Sequence, residues 1–361
     1  MPTANEELQS RAIVRQLFIQ RFKSHEAAQI VGFLNKQLYP DLLRKIEIRL
    51  RRIRTRGTDP GPVTTKRLRE LEAVVREILR DGMPRARKLL TGDLDEFAAD
   101  QAQWAANRIK EVTFGQISAA LPTAAQLHSV VRARPFAGRL LKDWFNDLEV
   151  SARQGVMSAT RIGIASGETN EQIMRRLRGT KALNFRDGII DIDRRHVETV
   201  VRTAVQHVAN HSREALYEKN LDIIDQIEWV ATLDSTTCPQ CQALDGQVFD
   251  PGEGIRPPAH LRCRCTTVPV LKSWKSLGIN LNEVDGGTRH ARGVLDGKVP
   301  QKVKYGEWLK GQTNAVQNEA LGVRRAELFR KDQFTVKDFV DRRGRTLSLK
   351  DLGVAEANAM V

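Results

Sequence analysis

Residues 234–265 decide how this chain is read: Asp234-Ser-Thr-Thr-Cys238-Pro-Gln-Cys241-Gln-Ala-Leu-Asp245-Gly246, ten further residues, then Pro257-Pro258-Ala-His260-Leu-Arg-Cys263-Arg264-Cys265. The four cysteines of the 361-residue chain all fall inside this window. A Cys-x2-Cys turn points two sulfurs at one place, and a second such pair brought back by a hairpin completes a tetrahedron. His260-x2-Cys263 repeats the spacing of Cys238-x2-Cys241. Zn²⁺ suits four N/S ligands and ties together segments that lack a core of their own. Five residues compete for four places: Cys238, Cys241 and Cys263, with either His260 or Cys265 as the fourth. Two other arrangements compete with zinc. Two disulfides would need an oxidising compartment, and no secretory signal is seen at the polar N-terminus. Free thiols around a turn set by Pro257 and Pro258 are the other. A full set of protein ligands leaves no position for water, so the expected site is structural rather than catalytic.

Upstream of the knuckle, Ile227, Trp229, Ala231 and Leu233 alternate with Glu228, Val230 and Thr232, the period of a half-buried strand. Asp245-Gly246 has the chemistry of a hairpin turn, and 266–271 reads as a second strand. Before the first strand lies a long helix over about 193–218, its buried face lined by Val197, Val200, Val201, Ala204, Val205, Val208 and Leu216. His207 and His211 sit one turn apart on it without the Glu of a zincin pattern, and read as ordinary helix histidines. Further upstream, Thr169-x-x-Gln172 forms a capping box that opens a short helix to about Arg178, stopped by Gly179.

The N-terminal part, about 5–162, reads as mostly helix. Leu68, Leu71, Val74, Val75, Ile78 and Leu79 make one apolar stripe, and Ile13, Val14, Leu17, Phe18 and Phe22 another. Thr55 to Thr65, with two Gly and two Pro, reads as a loop, and Leu121-Pro122 and Arg134-Pro135 as further breaks. Beyond the knuckle, 273–300 reads as loop and 305–352 as a return to helix, clearest over 323–331. The fold expected is mainly α, with long N-terminal helices and a small α+β zinc-knuckle insert whose short β-hairpin carries the Cys/His cluster. The segments are 1–150, 151–272 and 273–361.

Composition excludes several classes. Hydrophobic residues at 41% and charged residues at 28% are globular values, and no apolar run is long enough to span a membrane. Lys and Arg total 58 against 44 Asp and Glu, a formal charge of +14 that attracts polyanions or acidic proteins. Aromatics at 6% disfavour a base-stacking single-strand binder. Between 44 and 56 the cations are dense. On a helix Lys45, Arg49, Arg52 and Arg56 form a stripe that suits phosphates or an acidic partner, or equally a solvated face paired with acids.

The order Cys-Pro-x-Cys, Asp-Gly, Pro-Pro-x-His, Cys-Arg-Cys resembles the signature of the Mu F-like phage head morphogenesis proteins, also called minor head or minor capsid proteins. The capped 167–179 segment, the helix bearing Arg202, Asn210 and Tyr217, and the Tyr305-Gly-Glu-Trp308 and 339–349 segments resemble its flanks, so the resemblance covers about 150–352. It implies a structural virion component made in the host cytoplasm and present in few copies. Such a protein would contact the portal and other head proteins near the portal vertex and act in capsid assembly or in genome packaging or ejection, with double-stranded DNA as a further expected contact. No membrane and no small-molecule substrate are expected. Two other classes were weighed. A metal-dependent nuclease needs an open metal position and free carboxylates, whereas Asp234 suits an Asx turn and Asp245 the turn with Gly246. No Ser-His-Asp set, phosphate loop or dinucleotide fingerprint appears, so no catalytic residue is assigned. A zinc-stabilised DNA reader needs a basic helix after the knuckle, where 266–271 is strand-like instead.

Overall fold

The computed structural model describes residues 3–54, 65–279, 288–290, 298–300 and 303–353. The chain is mainly helical with a small antiparallel sheet. In order it runs α1 (Ala4–Phe33), α2 (Tyr39–Arg54), α3 (Thr65–Val112), α4 (Ala124–Arg132), α5 (Leu141–Ala165), α6 (Asn170–Arg178) and α7 (Ile189–Lys219). There follow β1 (Ile224–Val230), α8 (Pro239–Leu244), β2 (Val248–Phe249), β3 (Thr266–Leu271), β4 (Thr288–His290), β5 (Lys298–Pro300), α9 (Tyr305–Lys310), α10 (Asn314–Leu321) and α11 (Val323–Arg330). No helix among the described residues is long and apolar enough to cross a membrane. The chain forms two compact units. One comprises 1–20, 99–127 and 209–361, the other 21–98 and 128–208.

In the second of these units a π-helical turn over Leu34–Leu38 separates α1 from α2, and Leu38 packs against Gly82 of α3. A Cβ at Gly82 would lie 2.2 Å from the Leu38 side chain, so a larger residue there would force Leu38 to shift. Leu42, Ile46 and Leu50 of α2 and Leu71, Val75 and Leu79 of α3 are buried, as the 3.6-residue period requires. The predicted capping box is present: Thr169 accepts from the Gln172 amide, the Gln172 side chain accepts in return, and Gly179 with φ 89° ends α6.

The apolar stripe expected on α1 is not its buried face. Val14, Leu17 and Phe18 are exposed, Leu17 at 59%, whereas Leu8, Ala12, Ile19 and Ile30 are buried. Helix α1 has apolar residues on more than one side, so spacing alone cannot choose the face. Residues 55–64, read as a loop, lie outside the described residues.

In the other unit β1 is the central strand of a sheet ordered β2-β1-β3, antiparallel throughout. Ile227 pairs with Phe249 on one side and Pro269 on the other. The expected simple hairpin is therefore replaced by three strands. Strand β3 has the predicted bounds, while β1 starts and ends three residues before the Ile227–Leu233 alternation. It ends because the Ala231 amide donates to the Asp245 carboxylate, 2.8 Å, rather than to a neighbouring strand. Asp245-Gly246 closes helix α8 and leads into β2, so it is not a hairpin turn: the Cys238 cap had already started a helix. The 273–300 segment also holds a short β4–β5 ladder, and helix ends at Arg330, with turns continuing to 353. One core of this unit joins Leu216, Tyr217, Ile224, Ile227, Leu271 and Trp274, and another joins Leu233 to Tyr305, Trp308, Leu309, Phe329 and Phe339.

Candidate metal centre

Cys238 is the N-cap of α8, with Pro239 in the first helical position, where its missing N–H costs nothing. The Cys238 sulfur accepts from the Cys241 amide at 3.4 Å, which sets the two sulfurs side by side. The return segment passes a cis peptide between Pro257 and Pro258. A turn closed by the Cys263 amide on the His260 carbonyl, 3.2 Å, then brings His260 and Cys263 to the same place. Trp229 of β1 and Ala231 just beyond its end form the apolar backing with Cys241, Cys263 and Cys265, all buried, while Cys238 and His260 are half-buried.

The cysteines are free thiols, so the two-disulfide arrangement is not formed. Cys238, Cys241 and His260 present ligand atoms within 4.8 Å of one another, as do Cys241, Cys263 and Cys265. The Cys241 sulfur lies 3.5 Å from His260 Nε2 and 3.9 Å from the Cys263 sulfur. With Zn–S of about 2.3 Å and Zn–N of about 2.0 Å, a tetrahedron has S···S edges of about 3.8 Å and S···N edges of about 3.5 Å. Those spacings fit a four-coordinate metal. The His260 Nδ1–H donates to the Leu261 carbonyl at 2.8 Å, which fixes the tautomer that turns Nε2 toward the sulfurs.

Protons in the cluster are shared accordingly. The hydrogen bond from Cys241, together with His260, pulls the Cys238 thiol down to about 5, and the bond from Cys241 pulls Cys263 well below the usual thiol range. Hydrogen bonding to Cys238 and Cys263 drives the Cys241 thiol upward. Its bonds to Cys238 and Cys263 also raise His260 to about 11. For Cys265 the bond from Cys241 acts downward, but Cys263 and burial outweigh it and push that thiol up. Cys238 and Cys263 thus carry thiolate character, which is the form that ligates.

Two carboxylates, Asp234 and Asp245, help to hold the segment in place. Asp234 receives both guanidinium nitrogens of Arg264, one at 2.7 Å, together with the Thr236 amide and hydroxyl at 3.0 and 2.8 Å. This is the Asx-type turn read from the sequence, with Arg264 added. Asp245 accepts from the Ala231 amide with one oxygen and from the Tyr305 amide with the other, both at 2.8 Å. Tyr305 also donates its hydroxyl to the Asp234 carbonyl at 2.8 Å, a contact that the Tyr305–Trp308 segment of the sequence does not announce. A second clamp went unread as well: Arg256 donates to Glu214 of α7 at 2.6 Å, and Glu214 also pairs with His211. His211 therefore has a structural partner, and His207 packs on the Phe136 ring at 5.3 Å.

The basic stripe lies on α2, but acids interleave with it. Lys45 pairs with Asp41 at 3.1 Å, as does Arg44, and Arg49 lies 3.9 Å from Glu70. Arg51 pairs with Glu47, Arg52 is exposed, and Arg56 lies outside the described residues.

Fold and site together define a mainly helical chain with a small antiparallel sheet and a Cys/His cluster beside it. Residues 154–268, from the middle of α5 into β3, match the family model of Phage Mu protein F like protein. The resemblance read from the cysteine segment is borne out over that stretch, which is similar to Phage Mu protein F like protein. No curated protein and no solved structure matches the chain.

Proposed function

We propose that this protein is a structural minor component of a tailed-phage head, held by protein contacts near the portal vertex, with the knuckle as scaffold. The observation that carries the reading is the Mu F-like match over 154–268, which includes every candidate ligand. Cys238, Cys241, His260 and Cys263 would hold zinc. His260 is preferred to Cys265 because it is hydrogen-bonded to Cys238 as well as to Cys263, and lies 3.5 Å from Cys241. Cys265 reaches only Cys241 and Cys263 among the five and serves as a buried thiol beneath them. A bound zinc would offset most of the thiolate charge and would cross-link α8 to the 257–265 return.

Both oxygens of Asp234 and of Asp245 accept hydrogen bonds that hold the fold together, which speaks for scaffold over nuclease. DNA contact through α2 is a lesser part of the reading. Exposed ion pairs such as Lys45–Asp41 hold their cations weakly, so phosphates can displace the acids.

Particle composition and electron microscopy test the head reading. The expected result is a few copies confined to one vertex, lost from particles or accompanied by poor head formation in the Cys241→Ser variant. Wild-type particles that lack the protein altogether would refute it.

A further inference from the structure

Around Pro84 of α3 lie two adjoining cavities, of about 260 and 810 Å³, both lined by Arg80, Pro84 and Arg87. The smaller continues along α5 past Phe145, and the larger opens past Val131 and Arg132 of α4 to Leu141 and Lys142 at the start of α5. Arg80, Pro84, Arg87 and Thr91 are spaced three or four apart, so they form one row of α3 facing the opening.

Some cations here are spent on neighbours. Arg76 pairs with Glu72, Arg85 with Asp81, Arg132 with Asp95 and Arg153 with Glu72 and Glu149. Arg80, Arg87, Lys88 and Lys142 make no ion pair or side-chain hydrogen bond with any described residue. Four unmatched cations thus border one groove, in contrast to the acid-paired stripe of α2. Between them the groove presents Pro84, Val131 and Leu141.

We propose that this groove docks an acidic, amphipathic peptide segment of another protein, whose carboxylates meet Arg80, Arg87, Lys88 and Lys142 while an apolar side chain enters beside Pro84, Val131 and Leu141. A nucleic-acid backbone satisfies the cations but offers nothing to fill a concave apolar floor. Charge complementarity selects the partner and speeds its encounter, and the apolar contact holds it. The proposal rests on the head-component reading only for the expectation that the partner is a head protein. The groove chemistry is tested on the purified chain, apart from particle location.

Fluorescence anisotropy would use three labelled probes: a 12-residue peptide alternating Glu and Leu, a Glu/Ser peptide of the same charge, and a 20-base-pair duplex. The Glu/Leu peptide is expected to bind, to bind at least about tenfold more tightly than the Glu/Ser peptide, and to weaken steeply with salt. The double variant Arg80→Glu/Arg87→Glu and the separate Lys142→Glu should each cost about tenfold or more. Because Arg80 and Lys142 are exposed, Arg87 is only half-buried and none of the three is paired with a described residue, circular dichroism and melting should be little changed. Failure of the Glu/Leu peptide to bind, equal binding of the two peptides, or loss of duplex binding alone in the variants would overturn the proposal. The last outcome would assign the groove to nucleic acid.

Discussion

Asp234→Asn should be among the most damaging single-atom-scale changes in the knuckle. The Asp234 side chain is 4% exposed and its partner Arg264 is 26% exposed. Asparagine can keep the Thr236 contacts through its one oxygen, but it must then aim an NH2 group at the Arg264 guanidinium, donor against donor. Breaking one side of a buried pair costs about 3–5 kcal/mol, and the partial exposure of Arg264 places the loss nearer the lower value, about 3 kcal/mol. At roughly 2–4 °C per kcal/mol for a unit of this size, the melting temperature should fall by about 6–12 °C. Arg264 sits between Cys263 and Cys265, so metal affinity should drop as well, by about tenfold or more. The pH dependence has a definite sign. Burial pushes the Asp234 carboxyl up, but the hydrogen bonds and charge of Arg264 outweigh it and leave it below the ordinary value. Its stabilisation is therefore complete above the unfolded carboxyl pKa of about 3.9 and is lost as pH falls through the lower folded value, so variant and wild type should converge in acid. Differential scanning calorimetry from pH 3 to 7, with metal content by elemental analysis, measures both effects. The double variant Asp234→Asn/Arg264→Met should recover part of the loss, since no unpaired charge remains. A melting temperature unchanged at neutral pH in Asp234→Asn would refute the reasoning.

The remaining expectations concern ligands, staple and charge. Elemental analysis should find one zinc per wild-type chain and near-normal content in Cys265→Ser, but strong loss in His260→Ala and Cys238→Ser; the reverse order for Cys265 and His260 would reassign the fourth ligand. Asp245→Asn should cost about 1–3 kcal/mol, because one of two buried amides, Ala231 or Tyr305, loses its acceptor, as read by thermal melting. Arg49→Glu/Arg52→Glu should weaken binding of a DNA duplex by less than the charge reversal at Arg80 and Arg87 weakens binding of the acidic peptide, since Arg49 already faces Glu70.

What could be read without coordinates was what local chemistry fixes. Cysteine spacing is read by a metal at the range of two turns, so the knuckle could be located from the sequence. The Thr169–Gln172 capping box is likewise local, and the buried face of α7 follows from seven apolar residues in one row. Contacts between distant segments were not legible. Nothing near Asp245 announces that its second oxygen serves Tyr305, sixty residues on. Nor does the sequence near Arg256 name Glu214 as its partner. The same limit misdirected attention to α2. Linear density of Arg and Lys is highest there, yet Asp41, Glu47 and Glu70 answer it. Arg80, Arg87 and Lys88 of α3 lack such answers among the described residues, a difference that becomes visible only when elements are packed.

The placement of the knuckle explains why a scaffold role is the economical one. Strand β2 has two residues, and the apolar backing of the ligands amounts to Trp229 and Ala231 with half-buried neighbours such as Leu244, Phe249 and Ile255. Little hydrophobic burial is available there to offset the ordering of 238–265. Two polar staples and a metal cross-link can supply what is missing, because each acts between segments far apart in sequence. The same staples carry order outward: Leu233, three residues past the end of β1, lies in the core of Tyr305, Trp308 and Phe329, and Tyr305 is bonded to both Asp234 and Asp245. The segment that opens α9 is therefore tied to the Cys/His loops through Asp234 and Asp245. Each aspartate spends both of its carboxylate oxygens on bonds that join segments distant in sequence, which is what a staple requires.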